Sequence, residues 1–262
     1  MMPIGVLGLP GSGKTTWKHA AEAVSQWQGI EWREFVPGDP AALPALTQSD
    51  GFVCVIDITQ PLPAAGSQAA QWLTQALGLS DLWVMSFVAQ ADWDRQLQWQ
   101  QWLRAQDPIE RGQPVPIYRW LQPALPAAQV MDAISTGAHT PVKAPGDASI
   151  TAPGWQWFDQ LNQAWQVWRP AQTQAGRLDL MAFLAGLDAA RHNLSPTVLR
   201  VSAQVMTTEY ANAVAIEGNP FQDQTFAGPE AFAPEQWHAR VEGLALPKAW
   251  LDDLWAACFH AV

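Results

Sequence analysis

Ile4-Gly5-Val6-Leu7-Gly8-Leu9-Pro10-Gly11-Ser12-Gly13-Lys14-Thr15-Thr16 decides the fold of this chain. The first four residues are a short apolar run that stops at Gly8, and Gly8 to Thr15 satisfies G-x-x-x-x-G-K-[ST] in full. Glycines in this pattern let the backbone fold tightly, so that successive N–H groups, among them those around Gly11, Ser12 and Gly13, point inward at phosphate oxygens. Lys14 brings a positive charge to the outer phosphates, and the Thr15 hydroxyl is the expected ligand of Mg²⁺. Thr16 closes the loop. Trp17, Ala20, Ala21, Val24 and Trp27 then recur at helical spacing, predicting a helix over 15–27 whose positive dipole end faces the anion. A strand before the loop and a helix after it are the context that makes the motif specific.

Outward from this loop, strand and helix signals alternate. Glu31 to Val36 reads as a strand ended by the turn cluster Pro37-Gly38-Asp39-Pro40, and Gly51 to Asp57 as a strand buried on both faces. Helices are predicted over 67–77, 94–104 and 127–134, and further strands over 81–88 and 115–120. That alternation implies an α/β domain with a mostly parallel sheet over 1–135. The Thr, Ala, Pro, Gly and Asp-rich stretch 136–153 reads as a linker. Beyond it, 154–262 has helical patterns at 155–168, 178–190 and 250–260 and strand patterns at 198–206, 211–217 and 240–244. These lack βαβ alternation, so a smaller α+β domain follows.

Composition limits the partners. Against 14 basic side chains stand 24 acidic ones, for a formal charge of −10 over 262 residues. Such a chain repels nucleic-acid backbones and anionic lipid surfaces, so no nucleic-acid or membrane role is expected, and any phosphate must be held locally. Only four lysines occur, and Lys14 and Lys18 are two of them. Cys54 and Cys258 stand far apart with no pairing pattern. No apolar run nears the roughly 18 residues of a membrane span, so a cytoplasmic location is expected. The 16 tryptophans lie mostly on predicted helical faces without basic neighbours, which favours packing over a base-stacking surface. His19, His139, His192, His238 and His260 are scattered singly, without metal-site spacing.

A Mg²⁺-handling acid belongs at the end of a strand neighbouring the loop. Asp57 has that form, with Asp39 and Glu34 as rivals. The predicted strand over 81–88 is followed by Ala89-Gln90-Ala91-Asp92, where a guanine site has Asn-Lys-x-Asp. Asp92 is a candidate for the guanine edge or, equally, a helix N-cap before Trp93.

Together these residues resemble the CobW-like family of P-loop GTPases, the metal-chaperone and cofactor-assembly group related to the urease and hydrogenase nickel GTPases. The loop ends Gly13-Lys14-Thr15-Thr16, Glu34-Phe-Val-Pro-Gly38-Asp-Pro40 resembles the family's switch segment, and Gly51 to Asp57 resembles its acid-ended strand. Arg177-Leu-Asp179, Phe183-Leu-x-x-Leu187 and Val198-Leu-Arg200 resemble its C-terminal-domain pattern, and Arg240-Val-Glu-Gly243 with Leu251, Leu254 and Cys258 its closing helix. The family's CxCC motif is absent, the guanine motif is eroded, and Ser202-Ala203 stand where Lys-Gly is usual. The resemblance implies a Mg²⁺-dependent protein that binds and slowly hydrolyses GTP, with ATP the alternative, and acts on a client metalloprotein or cofactor-assembly partner. Lys14 and Asp57 are its expected catalytic residues. Two other readings remain open: a nucleotide-gated scaffold without turnover, and an ATP-dependent small-molecule kinase.

Overall fold

The computed structural model describes residues 1–24, 27–39, 41–107, 114–121, 130, 131, 134, 153–171, 176–194, 197–228 and 237–261. The chain forms two compact units, Met1–Gln163 and Ala164–Val262.

In the first unit five strands form one sheet: β1 (Met2–Leu7), β2 (Ile30–Glu34), β3 (Gly51–Asp57), β4 (Leu82–Ser86) and β5 (Ile117–Arg119). Their order is β2-β1-β3-β4-β5, and every pairing is parallel. The apolar runs of β3 and β4 are buried on both sides, as a sheet with helices on each face requires. On one face Ile4, Val6, Val53, Val55, Leu82 and Val84 pack with Trp17 and Ala21 of α1 (Lys14–Glu22). On the other, Trp83 donates its indole N–H to Leu77 O of α3 (Gln68–Leu79), while α4 (Trp93–Gln106) buries Trp99 and Leu103. α1 stops at Glu22, short of the expected Trp27, and a short α2 (Ala42–Thr47) precedes β3. Of the helix expected over 127–134, residues 130, 131 and 134 are described and helical.

The helical pattern expected over 155–168 breaks in two. α5 (Pro153–Ala164) ends at Ala164, and Trp165–Trp168 is strand β6. Trp165 and Trp168 share helical spacing, but three of the four residues, Trp165, Val167 and Trp168, also suit a strand, and pairing with β11 (His238–Leu244) decides it. α5 falls mostly within the first unit, which runs to Gln163, and the second unit begins at Ala164. Its packing explains this: Phe158 lies edge-on to Phe35, with ring centroids 5.0 Å apart, and Trp157 meets Trp72 at 6.2 Å. Apart from Pro153, the expected linker lies outside the described residues.

The second unit is α+β. β6, β8 (Thr197–Val205), β9 (Val214–Gly218), β10 (Asp223–Ala227) and β11 form an antiparallel sheet in the order β10-β9-β8-β11-β6. Val201, Ala203 and Val205 alternate inward along β8 and meet α6 (Leu180–Asn193) and α7 (Lys248–Cys258) through Phe183, Leu187, Leu251 and Trp255. β7 (Gly176–Leu178) and β12 (Phe259–Ala261) pair separately. Tryptophans serve packing in both units: Trp17 lies edge-on to Trp120 at 5.4 Å, and Trp255 meets Phe183 at 5.6 Å.

Candidate functional site

In an open parallel sheet, ligands bind beyond the carboxyl ends of the strands where the chain order reverses. Here β1 has β2 on one side and β3 on the other, so the reversal lies at β1/β3. The loop Gly8–Gly13 leaves the carboxyl end of β1 and runs directly into α1.

Two glycines show why the loop takes this form. Gly8 has φ +138°, and a Cβ there would collide with Val55 O and lie 2.8 Å from Ser12 Oγ. Gly13, the N-cap of α1, has φ +87°, and a Cβ there would lie 3.1 Å from the Phe87 ring. Both positions therefore combine a left-handed backbone with a close approach. Ser12 is buried, and its Oγ has no hydrogen-bond partner among the described residues. A buried hydroxyl left so costs about 1–3 kcal/mol, which an anion in the loop would offset.

Lys14 is buried too. Its Nζ donates to Gly8 O (3.1 Å) and Leu9 O (3.0 Å) and stands 4.0 Å from Glu34 Oε1. Thr15 Oγ1 donates to Glu34 Oε2 at 2.9 Å. Glu34 ends β2, the neighbour of β1, so one carboxylate faces both the loop lysine and the next hydroxyl. The Thr15 and Glu34 oxygens are hard donors of the kind Mg²⁺ takes, and they fit that ion. Gly11 and Thr16 are exposed, the first in the loop and the second in the first turn of α1.

The other acids are held differently. Asp57 ends β3 beside the loop strand, and its carboxylate accepts from Thr59 N (2.9 Å), Thr59 Oγ1 (2.6 Å) and Gln60 Nε2 (3.1 Å). Three of its roughly four acceptor positions are thus taken. Burial pushes its pKa upward, partly opposed by these bonds. Asp39 accepts from Ala41 N at 2.9 Å. Asp92 is the N-cap of α4 and accepts from Arg95 N at 2.7 Å. Lys14, Thr15 and Glu34 are therefore gathered at one point, Asp57 lies on the adjoining strand, and Asp39 and Asp92 serve local turns.

The sequence reading missed β4's contribution. Ser86 Oγ, buried at the end of β4, lies 2.8 Å from Ser12 O and 2.9 Å from Ile56 O, tying β4 to the loop. Phe87 follows with φ 56° and sets its ring against Gly13. The available signal was position alone: both residues stand where a buried strand meets the ligand edge of the sheet.

Among the described residues, no group of three or more His, Cys, Asp and Glu side chains is placed to hold a metal, and no helix is long and apolar enough to cross a membrane. No family model and no curated protein matches the chain. Among solved structures it is similar to zinc-bound YjiA GTPase from E. coli, at 12% identity and a TM-score of 0.33 over 98% of each chain. It is also similar to a zinc-bound triple mutant of YjiA GTPase, at 13% identity and a TM-score of 0.31, covering 87% of this chain and 70% of that one. At this level of likeness the reading of the site rests on its own geometry.

Proposed function

We propose that this protein binds a nucleoside triphosphate with Mg²⁺ and hydrolyses it slowly, with GTP the nucleotide that its resemblance to CobW-like proteins implies. The observation that carries this is the loop at the β1/β3 reversal, with Ser12 Oγ buried and unpartnered among the described residues and Lys14 drawn onto the loop carbonyls. Loop N–H groups and the α1 dipole attract the phosphates, and Lys14 meets their outer oxygens. Thr15 and Glu34 would hold Mg²⁺, with Asp57 supporting its water shell. The ion supplies neutralisation of the charge on the outer phosphates.

Hydrolysis is in-line attack of water on the terminal phosphorus, with the bond to the bridging oxygen breaking and the nucleoside diphosphate leaving. Asp57 is already committed to Thr59 and Gln60, and no other side chain among the described residues is assigned to position that water. Turnover is accordingly slow. The nucleotide state acts on the second unit and a client metalloprotein or cofactor-assembly partner, as the resemblance implies.

The test is an equilibrium titration of GTP and ATP, with and without Mg²⁺, on wild type and Lys14→Ala. Loss of a charged hydrogen-bond donor weakens binding by about tenfold or more. A Lys14→Ala protein that binds either nucleotide as tightly as wild type overturns the reading.

A further inference from the structure

Phe87 stands beside the phosphate loop without a part in the phosphate chemistry. Its backbone is left-handed, at φ 56° and ψ 29°. Bulky residues seldom adopt that conformation, and where they do the surroundings impose it, often at a ligand site. Here Ser86 on one side is fixed to Ser12 O and Ile56 O, and on the other Gln90 N donates to Phe87 O at 2.9 Å. The constraint aims the ring at the loop: a Cβ on Gly13 would lie 3.1 Å from Phe87 Cε2 and 3.2 Å from Cζ. The ring is only half-buried, and among the described residues no other aromatic ring pairs with it.

The polar means of reading a base are weak in the same segment. Asp92 spends a carboxylate oxygen on Arg95 N, while Ala89 offers no polar side chain. The strand order β1-β3-β4 sets the end of β4 roughly 10 Å along the sheet edge from β1, since neighbouring strands lie about 4.8 Å apart. A nucleotide whose phosphates lie in the loop must extend its sugar and base across such an edge.

We infer that Phe87 is the stacking platform for the nucleobase, so that the site reads the base by its flat face and accepts GTP and ATP alike. This rests on the nucleotide reading above and names how that site treats the base. Every base has a π-face, so stacking discriminates little between bases. The strained backbone at Phe87 fits this role, because it holds the ring at the loop.

The experiment titrates GTP, ATP and inorganic tripolyphosphate, each with Mg²⁺, against wild type, Phe87→Leu, Phe87→Trp, Phe87→Gly and Lys14→Ala. Wild type is expected to bind GTP and ATP within about threefold of each other. Phe87→Leu weakens both nucleotides about tenfold and leaves tripolyphosphate unchanged, while Phe87→Trp keeps nucleotide affinity. Phe87→Gly, whose backbone accepts the positive φ, shows the same selective loss in a protein free of that strain. Equal weakening of tripolyphosphate would make the ring a packing element of the loop and overturn the inference. So would unchanged nucleotide affinity in Phe87→Leu and Phe87→Gly, or a preference for GTP beyond about a hundredfold. Tripolyphosphate binding that ignores Lys14→Ala is a different result, and it overturns the nucleotide reading itself.

Discussion

Thr15 Oγ1 donates to Glu34 Oε2 across 2.9 Å, joining the residue after the loop lysine to the last residue of β2. The contact sets a carboxylate where phosphates and a divalent ion would meet. Without the ion, that negative charge repels the nucleotide; with it, the same charge helps to hold the ion. Glu34→Ala should therefore leave Mg²⁺-free nucleotide binding unchanged or tighter, and lower Mg²⁺-dependent affinity by about tenfold. Titrations in EDTA and in Mg²⁺ give both quantities. If both fall together, Glu34 only braces Thr15.

Asp92 gives a second prediction through its bond to Arg95 N. Losing an N-cap of this type costs about 1 kcal/mol of stability. Asp92→Ala should lower the thermal midpoint by a few degrees and leave the ratio of GTP to ATP affinity where it was. A variant that shifts that ratio by tenfold or more restores Asp92 as a base reader.

How much of this was legible in the sequence depends on whether the signal was local. The loop between β1 and α1 was, because its glycines and Lys14 are adjacent in the chain. Gly51 to Asp57 was too, since a β-branched run buried on both faces has no other comfortable place. Trp165 to Trp168 was not. Its residues fit a helix and a strand alike, and pairing with Val241 to Leu244, more than seventy residues away, settled the matter. Glu34 is one of three rival acids in the sequence, and what the sequence does not show is the parallel pairing of β1 with β2 that brings it to Thr15. Phe87 carried only the signal of its position after a buried strand, because a positive φ on a phenylalanine is imposed by its neighbours in space.

Gly13→Ala tests the close approach of loop and ring. At φ +87° a Cβ costs about 1–2 kcal/mol in backbone strain, and the new methyl would press on the Phe87 ring at 3.1 Å. The variant should unfold at a lower denaturant concentration and lose nucleotide affinity even where it remains folded. Combining it with Phe87→Ala should recover part of the stability, because the methyl then meets no ring. Recovery of none would assign the whole cost to the backbone.

Cys54 is fully buried, and that burial pushes its thiol up to about 12; burial also raises Cys258. The thiolate is the reactive form, so at pH 8 roughly one Cys54 in ten thousand is ionised. The native protein should resist a thiol reagent at pH 8 and release two equivalents on denaturation. Because the folded value lies above the unfolded one, the unfolded chain gives up its proton first. The contribution of Cys54 to stability is therefore intact below about pH 8.5 and declines as pH rises toward 12. Stoichiometric labelling of the folded protein at pH 8 would mean that Cys54 is reached by local opening.

Arg191 and Asp223 make the tightest ion pair among the described residues of the second unit, with two bonds of 2.6 Å and both side chains less than 8% exposed, at 7% and 6%. Arg191 lies in the last turn of α6 and Asp223 opens β10, so the pair fixes a helix end to an outer strand of the sheet. Removing either member leaves the other charge buried alone, at a cost of about 3–5 kcal/mol. Arg191→Met and Asp223→Leu should each lower the urea midpoint sharply. The double variant should be more stable than either single one, because no uncompensated charge then remains. A double variant as unstable as the sum of the two would show that the side chains act through separate contacts, and the pair would lose its standing as the clasp between α6 and β10.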